Sequence, residues 1–286
     1  MKFFVGICSF VLAMGLAYGF SQDLTMTSQG KVRKYRLHVP SSYTGKKAVA
    51  LVLVLHGRGG SGPYFEGVSG MSDVSDEKGF IVVYPSAIGN PPSWKTDWNF
   101  SNAQTNDVKF LGELIDKIEG KYKIDAKRVF CAGFSAGGFM TYQMGASLSH
   151  RIAAMAVMEG CIGVKKDGVT KMIPTPSEPV SLLCFHGEHD TTVPYNGGPV
   201  PMYPDWSFLS ANRSVMFWVN KDGCSTTPTT TGAGTNVVRK RYANGQHGTD
   251  VVFYSIGDGV HSWPDPATGI DAKNVIWTFF ANHPKQ

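Results

Sequence analysis

The chain reads as blocks of two alternating periodicities. Residues 48–55 (AVALVLVL) and 80–84 are unbroken apolar runs, the pattern of a strand covered on both faces. Residues 128–133, 152–158 and 181–186 repeat it. Stretches of helical period lie between them. Asn106 and Asp107 can cap a helix reaching about residue 121, with Phe110, Leu111, Leu114, Ile115 and Ile118 on one stripe. Further helices are expected over 136–148, 206–220 and 272–282. Residues 33–39 alternate as an exposed edge strand does, and 237–242 and 251–256 flank Asn244-Gly245 as a late strand pair. Strands alternating with helices predict an α/β fold, a mostly parallel twisted sheet with helices on both faces. Residues 159–180 and 191–206 are Pro- and Gly-rich connections, long enough to be binding loops.

The N-terminus departs from this rhythm. Met1-Lys2 precedes an apolar stretch running to Phe20, with Ala17 and Gly19 where a signal peptidase wants small residues. The stretch is short for a membrane span and is broken by Gly6, Gly15 and Gly19, which favours a cleaved leader over residues 1–19 against an uncleaved anchor. No later segment is apolar enough to cross a bilayer, so a secreted, extracellular chain is expected, with the periplasm as the alternative in a bacterial host. Residues 20–286 show no internal repeat and no linker, which predicts a single domain and a monomer. Beyond the leader four cysteines remain, Cys131, Cys161, Cys184 and Cys224. An oxidising compartment would favour disulfides among them, in any of three pairings. Two glycosylation sequons begin at Asn99 and Asn212.

Composition narrows the partners. The 286 residues are 42% hydrophobic and 17% charged, which excludes a disordered chain. The net charge of +5 comes without any long basic run, so nucleic acid is not an expected partner.

Candidate chemistry centres on Gly133-Phe134-Ser135-Ala136-Gly137. G-x-S-x-G alone is a weak signal, but here it joins an apolar strand to a helix, the tight turn that lifts a nucleophilic serine above a parallel sheet. A serine needs a base, and the base an orienting acid, in the chain order Ser, Asp, His. Asp190, in His186-Gly187-Glu188-His189-Asp190, and His261, in Gly257-Asp258-Gly259-Val260-His261, each follow a strand and fit that order. Glu188 is the fallback acid and His247 the fallback base. His186, Glu188, His189 and Asp190 would also suit zinc, but that reading leaves Ser135 and His261 without a role, and no metal or other cofactor is expected. Gly57-Arg58-Gly59-Gly60-Ser61-Gly62 matches a dinucleotide fingerprint, yet the next strand ends Val83-Tyr84-Pro85-Ser86 without the acid that holds a ribose. It reads better as an oxyanion loop, in which the backbone N–H of Arg58 (or Gly59) joins that of Ala136. Trp98, Tyr195, Trp206 and Trp263 fall on or near the loops of this site and are candidate substrate contacts.

Taken together, these pieces resemble the secreted esterase family that contains feruloyl esterases and poly(3-hydroxybutyrate) depolymerases, within the α/β-hydrolase fold. The likeness runs from about Val32 to Phe280. It is carried by His56-Gly57-Arg58-Gly59, Asn106-Asp107-Val108, the segment 124–129, Gly133 to Gly138, the run from His186 to Tyr195, and Val260-His261-Ser262-Trp263-Pro264. It implies Ser135 as nucleophile, Asp190 as acid and His261 as base. The Asp-Thr-Thr-Val-Pro-Tyr segment looks like the feruloyl esterase branch, which implies feruloylated polysaccharide as the ester substrate. A polyester or acetylxylan ester is the alternative, and a non-catalytic binding protein would be expected to have lost a triad member. Many relatives pair a cysteine in the hairpin near 244–248 with the one matching Cys224, and many have two glycines before the histidine; this chain lacks both features.

Overall fold

The computed structural model describes residues 19–98, 105–200, 203–264 and 269–286. Residues 1–18 of the expected leader and the Asn99 sequon lie outside the described residues; Asn212 is exposed at the start of a helix. The strands are β1 (Phe20–Ser28), β2 (Lys31–Val39), β3 (Val49–Leu55), β4 (Ile81–Pro85), β5 (Ile124–Phe134), β6 (Ala154–Met158), β7 (Gly163–Lys166), β8 (Val169–Met172), β9 (Ser181–Gly187), β10 (Gly198–Val200), β11 (Tyr203–Phe208), β12 (Thr229–Gly234), β13 (Val237–Tyr242) and β14 (Val251–Ile256). The helices are α1 (Gly62–Ser69), α2 (Met71–Lys78), α3 (Asp107–Glu119), α4 (Ala136–Ser147), α5 (Ala211–Lys221) and α6 (Ala272–Asn282).

The apolar runs form the middle of a ten-stranded sheet, ordered β1-β2-β4-β3-β5-β6-β9-β14-β13-β12. The six central strands, β4 to β14, are parallel, and antiparallel pairs close both ends. Continuous apolarity is explained by burial on both faces: Leu51, Leu53 and Leu55 point into one core, and Ala50, Val52 and Val54 into the other. Helices α3, α4 and α5 pack on the first face, and α1, α2 and α6 on the second.

Helix α3 is capped by the Asn106 side chain, which accepts from the Lys109 amide, and it buries the expected five-residue stripe. Asp107 beside the cap is fully buried. It pairs with Arg33 of β2 at 2.8 Å and accepts from the Lys95 amide at 2.8 Å, which ties down the loop carrying Trp94 and Trp98.

Three expectations are corrected. The strand at 33–39 is longer and is not the edge, because β1 pairs along its whole length and covers it. The helix expected from residue 206 begins at Ala211; Trp206 and Phe208 lie instead on β11, in a separate four-stranded sheet ordered β10-β11-β7-β8. The cysteines form no disulfide: Cys131, Cys161, Cys184 and Cys224 are all free and buried. They serve as small apolar core residues, and burial pushes the thiols of Cys131, Cys161 and Cys184 up to about 12. The missing partner of Cys224 has a visible counterpart: a Cβ built on Gly245 would stand 2.7 Å from the Cys224 sulfur.

Candidate active site

The chain leaves β3 toward one edge of the sheet, forms β4, and crosses back to β5. The C-terminal ends of β3 and β5 therefore flank a reversal in strand order, where open α/β sheets bind ligands. Ser135 follows β5 directly, with φ 55° and ψ −120°. That left-handed turn requires its glycines. A Cβ on Gly133 would come within 2.3 Å of the Gly137 carbonyl oxygen, and one on Gly137 within 2.2 Å of the Leu55 carbonyl oxygen. The turn aims Ser135 away from the sheet and starts α4 at Ala136.

Three distant segments meet at this serine. The His261 Nε2 lies 2.9 Å from Ser135 Oγ, placed to accept its proton. His261 Nδ1 lies 2.7 Å from Asp190 Oδ2, to which it donates. Asp190 follows β9, and its Oδ1 accepts from the Thr192 and Val193 amides at 2.7 and 2.9 Å. Burial acts to raise the Asp190 carboxyl, but the neighbouring His186, 3.5 Å away, and the hydrogen bond from His261 outweigh it and hold the group well below the usual carboxylate range.

The His261 loop is docked by backbone contacts: the Glu188 amide donates to the Ile256 carbonyl and the His189 amide to the Gly259 carbonyl, both at 2.9 Å. This approach leaves no room for a side chain on Gly187 or Gly259. Val260, where many relatives have a second glycine, points to solvent at 57% exposure and needs none.

The loop after β3 is fixed by His56, which is fully buried. Its Nδ1 donates to the Gly57 carbonyl at 2.6 Å, and its Nε2 accepts from the Ala87 amide at 3.0 Å. Of the two oxyanion candidates there, Gly59 is committed, since its amide donates to the Pro92 carbonyl at 2.8 Å. Arg58 lines the cleft over Ser135 together with Ala136, whose N–H is among the first-turn amides of α4 that have no partner within the helix.

The cleft has a volume of about 590 Å³. Trp94, Trp98, Phe139, Val193, Trp206 and Phe208 give it a largely aromatic wall, with Ser135 and His261 at its floor. Trp98 meets Phe139 edge-on at 5.1 Å, and Phe139 faces Phe208 at 5.6 Å. Not every expected contact is here. Tyr195 is turned into the core, hydrogen-bonded to Ser255 and stacked on Phe253. Trp263 packs edge-on against Phe65 and lines a second groove on the other side of His261.

The fallback residues are engaged elsewhere: Glu188 accepts from Ser255 at 2.6 Å, and His247 sits in the turn Gln246–Gly248. Among the described residues, one cluster has metal-ligand proximity, and it is not the expected one: Glu159, His186 and Asp190. Its donor atoms are already in use, because His186 Nε2 donates to the Val193 carbonyl at 2.8 Å and Asp190 holds His261. Glu159 went unnoticed in the sequence. The available signal was a lone acid closing the apolar run 152–158.

Residues 42–200 match the phospholipase/carboxylesterase family of α/β-hydrolases, and the chain belongs to that family. It is 31% identical to feruloyl esterase B of Piromyces equi over 243 residues, 84% of this chain but only 44% of that relative's length. It is 26% identical to feruloyl esterase C of Emericella nidulans, covering 87% of this chain and 83% of the relative. The acetyl xylan esterase of Aspergillus awamori shares the fold with a TM-score of 0.66 at 18% identity, over 92% of this chain and all of that one.

Proposed function

We propose that the chain is a secreted serine ester hydrolase that releases hydroxycinnamic acids such as ferulate from plant cell-wall polysaccharide. The observation that carries the reading is the hydrogen-bonded series Ser135–His261–Asp190 at the floor of an aromatic cleft. In this reading His261 takes the serine proton as Oγ attacks the ester carbonyl. Asp190 fixes the ring with its proton on Nδ1 and stabilises the imidazolium that forms. The carbonyl oxygen, now an alkoxide, is received by the Ala136 and Arg58 amides; donors of this kind are worth about 3 kcal/mol each. His261 then returns the proton to the leaving alcohol, and water repeats the sequence on the acyl-enzyme.

The cleft's size and aromatic wall suit a planar aromatic acyl group better than an acetyl group, which would leave most of it unfilled. The polysaccharide would leave through the open groove lined by Arg58, Tyr64 and Trp263. The feruloyl esterase names of the relatives support the same substrate class. The leader over residues 1–19 supports secretion, and among the described residues no helix is long and apolar enough to cross a membrane.

Ser135→Ala is expected to lower ester turnover at least about 1,000-fold while leaving the circular dichroism spectrum unchanged. A folded variant with full activity would remove Ser135 from the mechanism. Initial rates on methyl ferulate, acetylated xylan and hydroxybutyrate oligomers decide the acyl group; preference for either of the last two would replace the feruloyl reading.

A further inference from the structure

The end of β6 places a second carboxyl behind the first. Strands β6 and β9 are parallel neighbours, with Met158 opposite Phe185, so the residues that follow them emerge side by side. Asp190 follows β9, and Glu159 follows β6. Glu159 is 1% exposed and adopts φ 52°, a conformation that costs a residue with a side chain about 1 kcal/mol or more. A surface acid would have no reason to hold it. Here it lets the amide of Glu159 donate to the Phe185 carbonyl at 3.1 Å while the carboxyl turns under the site.

The surroundings define the state of that carboxyl. Its oxygens accept from the Gly187 amide at 3.0 and 3.2 Å, and a carboxyl oxygen of Glu159 lies within 4.8 Å of one of Asp190. The titratable groups facing it are Asp190 and, from β9, His186 and Cys184. Among the described residues, no lysine or arginine pairs with it. His186 Nε2 lies 3.3 Å from Glu159, but its N–H is donated to the Val193 carbonyl. Two carboxylates in so dry a place cannot both ionise cheaply, so the pair retains one proton. Asp190 receives two amides and the His261 Nδ1–H, which favour its charged form.

We propose that Glu159 is a positioning residue for the triad: it carries the proton of the Glu159–Asp190 pair and donates it to Asp190, which keeps the single negative charge for His261. Burial, followed by the contact with Asp190, pushes Glu159 well above the ordinary carboxylate range, in agreement with this division. Asp190 is then gripped on both oxygens, by amides at Oδ1 and by His261 at Oδ2, with Glu159 behind. The inference rests on the triad reading above.

The test compares Glu159→Gln and Glu159→Ala with the wild type, following the pH dependence of fluorophosphonate labelling of Ser135 and of p-nitrophenyl acetate hydrolysis. Gln keeps a donor toward Asp190 and an acceptor for Gly187, and cannot ionise. It is expected to stay within about threefold of wild type with the acid limb in place, whereas Ala loses about 10- to 100-fold in kcat with KM little changed. If Glu159 were ionised in the enzyme, Gln would remove a negative charge near His261 and move the acid limb down by about one pH unit or more; that shift would overturn the proposal. So would an alanine variant at full rate. Should the alanine variant fail to fold, the Gln profile decides alone. A wild-type chain whose Ser135 takes no label would remove the triad reading, and this inference would fall with it.

Discussion

Ser135 and Glu159 share a left-handed backbone, and each is held there by neighbours rather than by preference. Strain at the serine keeps its hydroxyl clear of α4 and in reach of His261. Asp222 shows a different cost, that of burying a charge with half its contacts. Its Oδ1 accepts from the Val180 amide at 3.1 Å, while Oδ2 is buried without a partner. Burial pushes this carboxyl up to about 7 from an ordinary 3.8. The folded state thus holds a proton that the unfolded chain has lost, so Asp222 costs stability as pH rises from about 4 to about 7, and fully above that. Asp222→Asn keeps the acceptor for Val180. It is expected to stabilise the protein by about 1–4 kcal/mol at pH 8 and by little at pH 4, read as the difference between the two melting profiles.

At the scale of elements, the cleft is built by two unlike parts. Ser135, His261 and Asp190 stand at ends of the parallel sheet, whereas Val200, Trp206 and Phe208 come from the small sheet β10-β11-β7-β8. Trp206→Ala is therefore expected to lower kcat/KM for an aromatic ester about tenfold while leaving p-nitrophenyl acetate within about twofold, a contrast that steady-state kinetics on the two esters checks. The division also explains what the sequence made legible. Strands buried on both faces are written as unbroken apolar runs, and Gly133 to Gly137 joins one of them to a helix, so the central sheet and the serine could be read directly. The positions of Asp190 and His261 followed from the order of strands. The small sheet was not legible, because its short strands carry Gly, Pro and Lys rather than an apolar run. Trp206 and Phe208 sit two apart, a strand spacing that merges into the helix beginning three residues after Phe208. Strand β1 was hidden because most of it is exposed and polar, and its pairing with β2 is a long-range fact. Glu159 was hidden because one acid after a strand has no meaning until its neighbour in the sheet is known.

At the scale of the whole molecule, stability comes from two apolar layers pressed on the sheet, without covalent bridges among the described cysteines. Reductant is accordingly expected to leave the melting temperature unchanged. Cys131, Cys161 and Cys184 should resist a thiol reagent at neutral pH until the chain unfolds, which spectrophotometric titration with and without denaturant measures. A drop in melting temperature on reduction would mean that bridges form after all.

The strands of the small sheet hydrogen-bond to one another and not to the ten that carry the triad. The small sheet is joined to them by packing, with Val164, Val200 and Phe208 in the core that holds Leu55 and Val157. In the proposed reading, the part of the wall that would choose the acyl group could change without breaking a single ladder of the sheet that carries Ser135.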